Sequence, residues 1–283
     1  MIDTPISSVA SVLCPYQKRL EALFRELVAT FPHVEPLAPA CSYALSSGGK
    51  RLRPSIVWMV REALQSKNNV DFAAVAVELF HISSLITDDL PCMDDDDTRR
   101  GIPTVHKAFS EATAVLASFS LTAAGFEALS YIQDPFVVQY AVRHSSRAIG
   151  CSGLAGGQCL DLMPEHVDQK LITEIIDRKT VVLFDLAFVL GWICGGGSFD
   201  CVSEVSELAR HFGRAFQIAD DIFDRAQDIA ADKKVNYSLC FGLEEARSAV
   251  HRSLDSFDEC ADRLGIVSSD LRAIIQGMRA SVV

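Results

Sequence analysis

The sequence has no alternating apolar–polar run of useful length and no internal repeat, which argues against a sheet-built or solenoid fold. Nothing in it resembles an interdomain linker. Its nine cysteines include no CxxC pair and no paired spacing, and Cys159 and Cys194 have buried-looking neighbours. That pattern points to reduced thiols in a cytoplasmic compartment, without disulfide or zinc-ribbon chemistry. The N-terminus, MIDTPISSVASVLCPYQKRL, lacks the basic start and long apolar core of a signal peptide. The longest apolar run, Val181–Gly197, is interrupted by Asp185 and closes in three glycines, so it reads as a core helix and stable membrane insertion is not expected. Positive charge is also scarce. With 26 Lys and Arg against 37 Asp and Glu, the formal charge is −11, which argues against nucleic acid as a partner.

Negative charge is concentrated instead. Asp88–Gly101, DDLPCMDDDDTRRG, puts six carboxylates and then two adjacent arginines directly after the apolar run Val75–Ile86. Carboxylates crowded this closely beside a core need neutralising cations, and such hard oxygen ligands suit Mg²⁺ shared with substrate phosphates. The arginines add forked donors for phosphate oxygens. Taken alone, such a run is most often a solvated acidic loop, with a calcium-type oxygen site as a further option. A second acidic motif, QIADDIFD at Gln217–Asp224, favours a metal-bound di- or triphosphate, because Asp220 and Asp224 are spaced i, i+4 and share one helix face.

The remaining pattern predicts an all-α, single-domain bundle of about ten helices around a central apolar cavity, spanning residues 1–283. Helical spacing marks Val9–Phe31, a short piece Cys41–Leu45, and then Ser55–Leu64, which is preceded by the basic, glycine-containing loop Ser46–Pro54, SSGGKRLRP. A backbone freed by two glycines beside Lys50, Arg51 and Arg53 can approach an anion closely. An ordinary basic helix start is the competing reading. Further helices are predicted at Asp71–Thr87, Val105–Tyr131, Pro135–Ile149, Gly153–Met163, Val167–Trp192, Val202–Asp228, Glu244–Leu264 and Ser268–Met278. His81, Ser84 and Asp88 fall on one face of the Asp71 helix, and Pro91 ends that helix among the aspartates. Helical phase therefore leaves open which later carboxylate joins Asp88. Gln158 and Asp161, in LAGGQCLDLM, suggest close packing with a polar face toward a cavity.

These motifs, in this order, resemble the trans-isoprenyl diphosphate synthases, the short-chain polyprenyl synthetases that include farnesyl and geranylgeranyl diphosphate synthases. The likeness runs from about Tyr43 to the C-terminus through GGKRLRP, DDLPCMDDDDTRRG, GIPTVHKAF, LAGGQCLDL, the RKT of Arg178–Thr180, and FQIADDIFD. The resemblance implies a Mg²⁺-dependent prenyltransferase and an isoprenoid-synthase fold. It implies that Asp88, Asp94 and Asp220 hold Mg²⁺, with Asp89, Asp221 and Asp224 in support. Lys50, Arg53, His81 and Arg100 are then expected on isopentenyl diphosphate, and Arg99, Lys179 and Lys234 on the allylic diphosphate. Thr180 and Gln217 are expected to face the reacting carbons. A homodimer is the usual assembly.

The sequence departs from the family in three places. Thr87 stands where the family often has His, and Ser118–Phe119 replaces its Gly-Asp, which implies an aromatic ring where a carboxylate lies near the site. The loop after the second motif is short and retains only Lys233 and Lys234. These changes keep a weakly active or non-catalytic regulatory subunit as the alternative; a terpene cyclase has no need of Lys50, Arg53 and Arg100. Product length is implied by Ser83 and Ser84, small residues where a bulky aromatic stops the chain at farnesyl. Phe80, one turn deeper, is the next blocking residue, and the expected product is geranylgeranyl diphosphate, with farnesyl as the alternative.

Overall fold

A buried ion pair anchors the basic loop to the bundle. Arg51 Nη1 lies 2.8 Å from Glu78 Oε1, with side-chain exposures of 3% and 2%, and Arg51 Nη2 donates to the Leu45 carbonyl at 2.7 Å. In this computed structural model, which describes residues 9–162, 168–230, 235–266 and 268–282, fifteen α-helical segments surround that pair. They are α1 (Ala10–Ala29), α2 (Leu37–Ser46), α3 (Leu52–Ala63), α4 (Asp71–Asp88), α5 (Val105–Ala108), α6 (Glu111–Ser130), α7 (Pro135–Ile149) and α8 (Leu154–Leu162). After these come α9 (Gln169–Ile176), α10 (Val182–Cys194), α11 (Val202–Phe223), α12 (Arg225–Ala230), α13 (Tyr237–Phe241), α14 (Leu243–Leu264) and α15 (Ser269–Ser281).

The expected all-α class is present, with more and shorter segments than the periodicity implied. Val105–Tyr131 is two helices, because Ser110 leaves the helical conformation and its side chain caps the Thr113 amide of α6. Val167–Trp192 is α9 and α10 joined by a π-helical turn at Asp177–Val181. Val202–Asp228 breaks at Asp224 into α11 and α12. The α3 helix begins at Leu52, three residues before the predicted start, so Arg53 and Pro54 lie in its first turn; Arg51 precedes it with φ +52°. The one sheet among the described residues is a two-residue antiparallel pair, Thr98–Arg99 with Ile102–Pro103, inside the acidic stretch.

Helix α10 fills the centre of the bundle. Its residues Leu183–Cys194 are buried except Asp185, and it packs against α3, α4, α7 and α11. One contiguous apolar core runs from Leu13 in α1 to Met278 in α15, and Phe184, Phe188, Phe212 and Phe257 form an aromatic chain within it. Helix α6 packs along α4 with its inner face and exposes Val115, Leu116 and Phe119, the last at 78%. It is also long and apolar enough to cross a membrane by length and composition, which the sequence reading overlooked in favour of the α10 run. Its burial against α4 accounts for that apolarity as core packing on one side.

Removing Glu78 leaves the Arg51 charge buried and unpaired, a defect that costs about 3–5 kcal/mol. Glu78→Ala is expected to lower the unfolding free energy in urea by that amount. A loss below about 1 kcal/mol is the outcome that contradicts a desolvated pair.

Candidate active site

The first acidic stretch begins as α4 runs out. Asp88 is the last helical residue and Asp89 the C-cap; the chain then turns back so that the Asp94 amide donates to the Asp88 carbonyl at 2.9 Å. The two adjacent aspartates consequently point to different surroundings. Asp89 is 4% exposed and accepts from Arg99 Nε at 2.6 Å, while Arg99 also bonds Asp96 at 2.7 Å. Asp88 instead lies within the field of Lys179 and Asp94. Asp89 thus fixes Arg99. Arg99 in turn is held in carboxylate pairs and can meet a diphosphate only by keeping or exchanging them.

The second motif repeats this division. Asp221 is buried and accepts from the Tyr237 amide at 2.7 Å and from Gln217 Nε2 at 2.8 Å, and its carbonyl accepts from Asn236 Nδ2 at 2.9 Å. Asn236 Nδ2 also donates to Asp228 at 2.8 Å, so Asp221 secures the chain returning after α12. Asp220 faces the basic loop instead, within the field of Lys50, Asp224 and Arg53. Aromatic rings floor that region. Lys50 Nζ sits 5.8 Å from the Phe216 ring centroid, Arg53 lies 4.5 Å from that of Phe184, and the two rings are 5.0 Å apart.

Lys179 connects the first motif to α8. Its Nζ lies 2.5 Å from Asp161 Oδ2, and Gln158 Nε2 donates to Asp94 Oδ1 at 3.3 Å, so the two polar residues of α8 hold one partner each. The π turn at Asp177–Val181 carries both Lys179 and Thr180. Thr180 Oγ1 donates to Gln217 Oε1 at 2.6 Å. A cavity of about 580 Å³ opens here, lined by Asp94, Asp161, Lys179, Thr180, Gln217 and Asp224, with Ile172, Ile175 and Ile176 as its apolar wall. Carboxylates from both motifs thus share one cavity with a lysine between them.

The remaining predicted residues cluster beside Lys50. Arg53 Nη1 is 3.4 Å from His81 Nε2, and Arg100 donates to the Gly48 carbonyl while its guanidinium covers Gly49. A Cβ at Gly49 would stand 2.4 Å from Arg100 Cζ, so only glycine admits this contact. Lys234 lies outside the described residues. Phe119, expected near the site, is on the outer face of α6 because consecutive helical residues are turned about 100° apart; Ser118 is the one facing α4, where its hydroxyl meets Thr87 Oγ1 at 2.8 Å and the Ser83 carbonyl at 2.9 Å. Ser83 is buried, Ser84 bonds back to the His81 carbonyl at 2.9 Å, and the Phe80 ring stands 5.0 Å from that of Phe126 over Gly125.

Burial distorts the ionisation of this cluster. It pushes Asp88 up to about 6 against the pull of Lys179, and Asp220 up to about 7 against that of Lys50. Burial, with Arg53 and Arg100 next, holds His81 well below the usual imidazole range, so it is neutral beside the arginines. Neither the Asp88 nor the Asp220 side chain has a direct hydrogen bond or ion pair among the described residues. Desolvated all-oxygen donors of this kind fit a hard divalent cation.

Raised carboxyl values have a sign. A folded-state value above the unfolded one favours folding below about 4, and that contribution is lost as pH rises through about 6 to 7. With chelator present, the urea midpoint is expected to fall between pH 5 and pH 8, and Asp220→Asn to flatten the decline. An unchanged slope in Asp220→Asn would show that its carboxyl does not titrate in this window.

Residues 34–238 match the polyprenyl synthetase family. The chain is 40% identical over 245 residues to geranylgeranyl pyrophosphate synthase 7 of Arabidopsis thaliana, covering 77% of this chain and 70% of that protein. It is 37% identical over 258 residues to a heterodimeric geranylgeranyl pyrophosphate synthase large subunit 2 of the same organism, covering 84% and 69%. Among solved structures, an FPP/GFPP synthase from Zymomonas mobilis superposes with a TM-score of 0.81 at 33% identity, covering 97% of this chain and all of that one. A geranyltransferase from Legionella pneumophila gives 0.84 at 30% identity, with 96% of each chain covered.

Proposed function

The chain belongs to the polyprenyl synthetase family and is a short-chain prenyltransferase; we propose that it condenses isopentenyl diphosphate with an allylic diphosphate, using Mg²⁺, to give mainly geranylgeranyl diphosphate. The observation that carries this reading is that Asp94 of the first motif and Asp221 and Asp224 of the second line one cavity with Lys179, while Asp220 of the second motif lies within the field of Lys50 and Arg53. Asp88 and Asp94 from the first motif and Asp220 from the second, with Asp224 beside it, would hold the metal. When bound, Mg²⁺ supplies positive charge opposite the leaving diphosphate.

The protein's own groups do the rest. Lys179 belongs on the allylic diphosphate, since it stands among Asp88, Asp94 and Asp161 on the first-motif side. Lys50, Arg53 and Arg100, with neutral His81 as an added donor or acceptor, suit the diphosphate of isopentenyl diphosphate. Thr180 donates to Gln217 and Gln217 donates to Asp221, so this chain of bonds fixes both side chains at the cavity wall. The isoleucine wall keeps water away from that cation. A second copy of the chain is the proposed partner. The exposed Val115, Leu116 and Phe119 form an apolar stripe on α6 at helical spacing, which supports burial between subunits.

Condensation is expected to stop in excess EDTA and to fall by several orders of magnitude in Asp88→Ala, because loss of one ligand forfeits several kcal/mol of charge stabilisation. Product analysis with isopentenyl diphosphate and each allylic diphosphate is the assay, and full turnover without divalent metal contradicts the assignment. Ser83→Phe is expected to shorten the product and Phe80→Ala to lengthen it; an unchanged distribution in both places the floor elsewhere. Sedimentation should show a dimer that Phe119→Asp dissociates. A wild-type monomer would remove the second copy as partner.

A further inference from the structure

Away from the cavity, α11 and α14 bring three unlike metal-binding side chains together. Glu207 and His211 stand four residues apart on one face of α11, and Cys260 faces them from α14; their ligand atoms all lie within 4.8 Å of one another. His211 Nε2 is 4.0 Å from Glu207 Oε1. Tetrahedral zinc with bonds of about 2.0–2.3 Å needs its ligand atoms roughly 3.4–3.6 Å apart. The required contraction is small, and the Glu207 side chain, 52% exposed, can supply much of it by rotation.

The chemistry of the trio is selective. A thiol, an imidazole and a carboxylate together suit a borderline-soft cation, whereas the all-oxygen aspartate motifs suit a hard one. Cys260 is buried at 4% exposure, and Arg263 Nη2 stands 3.1 Å from its sulfur. That contact lies outside the trio and has the position of a supporting donor to a metal-bound sulfur. Asp220 lies about 14 Å further along α11 at 1.5 Å per residue, so this cluster is not part of the catalytic cavity. Partial exposure of Glu207 and His211 leaves an approach from solvent and room for one water.

We propose that Glu207, His211 and Cys260 form a second metal site, taking a divalent cation of the zinc class with water as the fourth ligand and fastening α11 to α14. The site is independent of the prenyltransferase reading, because its three ligands take no part in the catalytic cavity. Anaerobic titration of the metal-free, reduced full chain with Co²⁺ tests it. The expected result is a thiolate-to-cobalt charge-transfer band in the near ultraviolet with tetrahedral visible bands, bleached by Zn²⁺ and unaffected by Mg²⁺. The aspartate motifs bind cobalt through oxygen and produce no such thiolate band.

Cys260→Ser is expected to abolish the band. Glu207→Gln, a change at an exposed side chain, should weaken Co²⁺ binding at least tenfold with the circular dichroism spectrum unchanged, which keeps the test valid if the cysteine variant folds poorly. No band in the wild-type protein, a band that persists in folded Cys260→Ser, or equal affinity in Glu207→Gln would each overturn the proposal.

Discussion

The structure depends on how it tolerates carboxylates at the edge of an apolar core. Asp88 and Asp220 are desolvated where α4 ends and near the C-terminal end of α11, and neither has a direct partner among the described residues. Each is balanced through space by a lysine, Lys179 for the first and Lys50 for the second. The balance is partial, which is why both groups remain shifted toward neutrality. Carboxylates held this way are poorly neutralised by protein groups alone. Glu78 is the opposite case: equally close to the core, it is paired directly through Oε1 with Arg51 and supports the loop that carries Lys50.

The same principle explains the division of labour inside each motif. A pair of adjacent aspartates cannot both face one cation from a helix, because successive side chains diverge by about 100°. Asp89 and Asp221 take the inner positions and fix what the cavity needs nearby: Arg99 in one case, Gln217 and the chain at Tyr237 in the other. A change at Asp221 would disturb Asn236 and Asp228 as well.

Much of this was legible in the sequence because helices with strong periodicity, such as Asp71–Asp88, Pro135–Ile149 and Leu243–Leu264, carry their own signals. Asp134 followed by Pro135 is such a signal, a capping carboxylate and a proline at the helix start. What escaped was set by contacts between distant segments. The π turn at Asp177–Val181 has no local composition that demands it; it accompanies the close approach of α8, where Lys179 meets Asp161. Likewise, the pairing of Arg51, just before α3, with Glu78 in α4 joins residues whose separate segments gave no hint of their facing one another. The acid motifs could be found as clusters of charge, but which aspartate of each pair faced inward required the partners to be seen.

The Ser118–Phe119 pair carries this reasoning furthest. Read along the chain, the pair suggested an aromatic ring intruding where a carboxylate lies near the site. Helical geometry separates the two residues: Phe119 is 78% exposed on the outer face of α6, and Ser118 meets Thr87 and Ser83 on the inner one. The inward side of this departure is therefore a small hydroxyl, which meets the Thr87 hydroxyl and the Ser83 carbonyl along the α4–α6 contact. The ring contributes instead to the exposed stripe with Val115 and Leu116. One two-residue change thus acts on two surfaces, adding apolar area outside while placing a small hydroxyl against Ser83 inside, with Phe80 packed over Gly125 one turn away on α4.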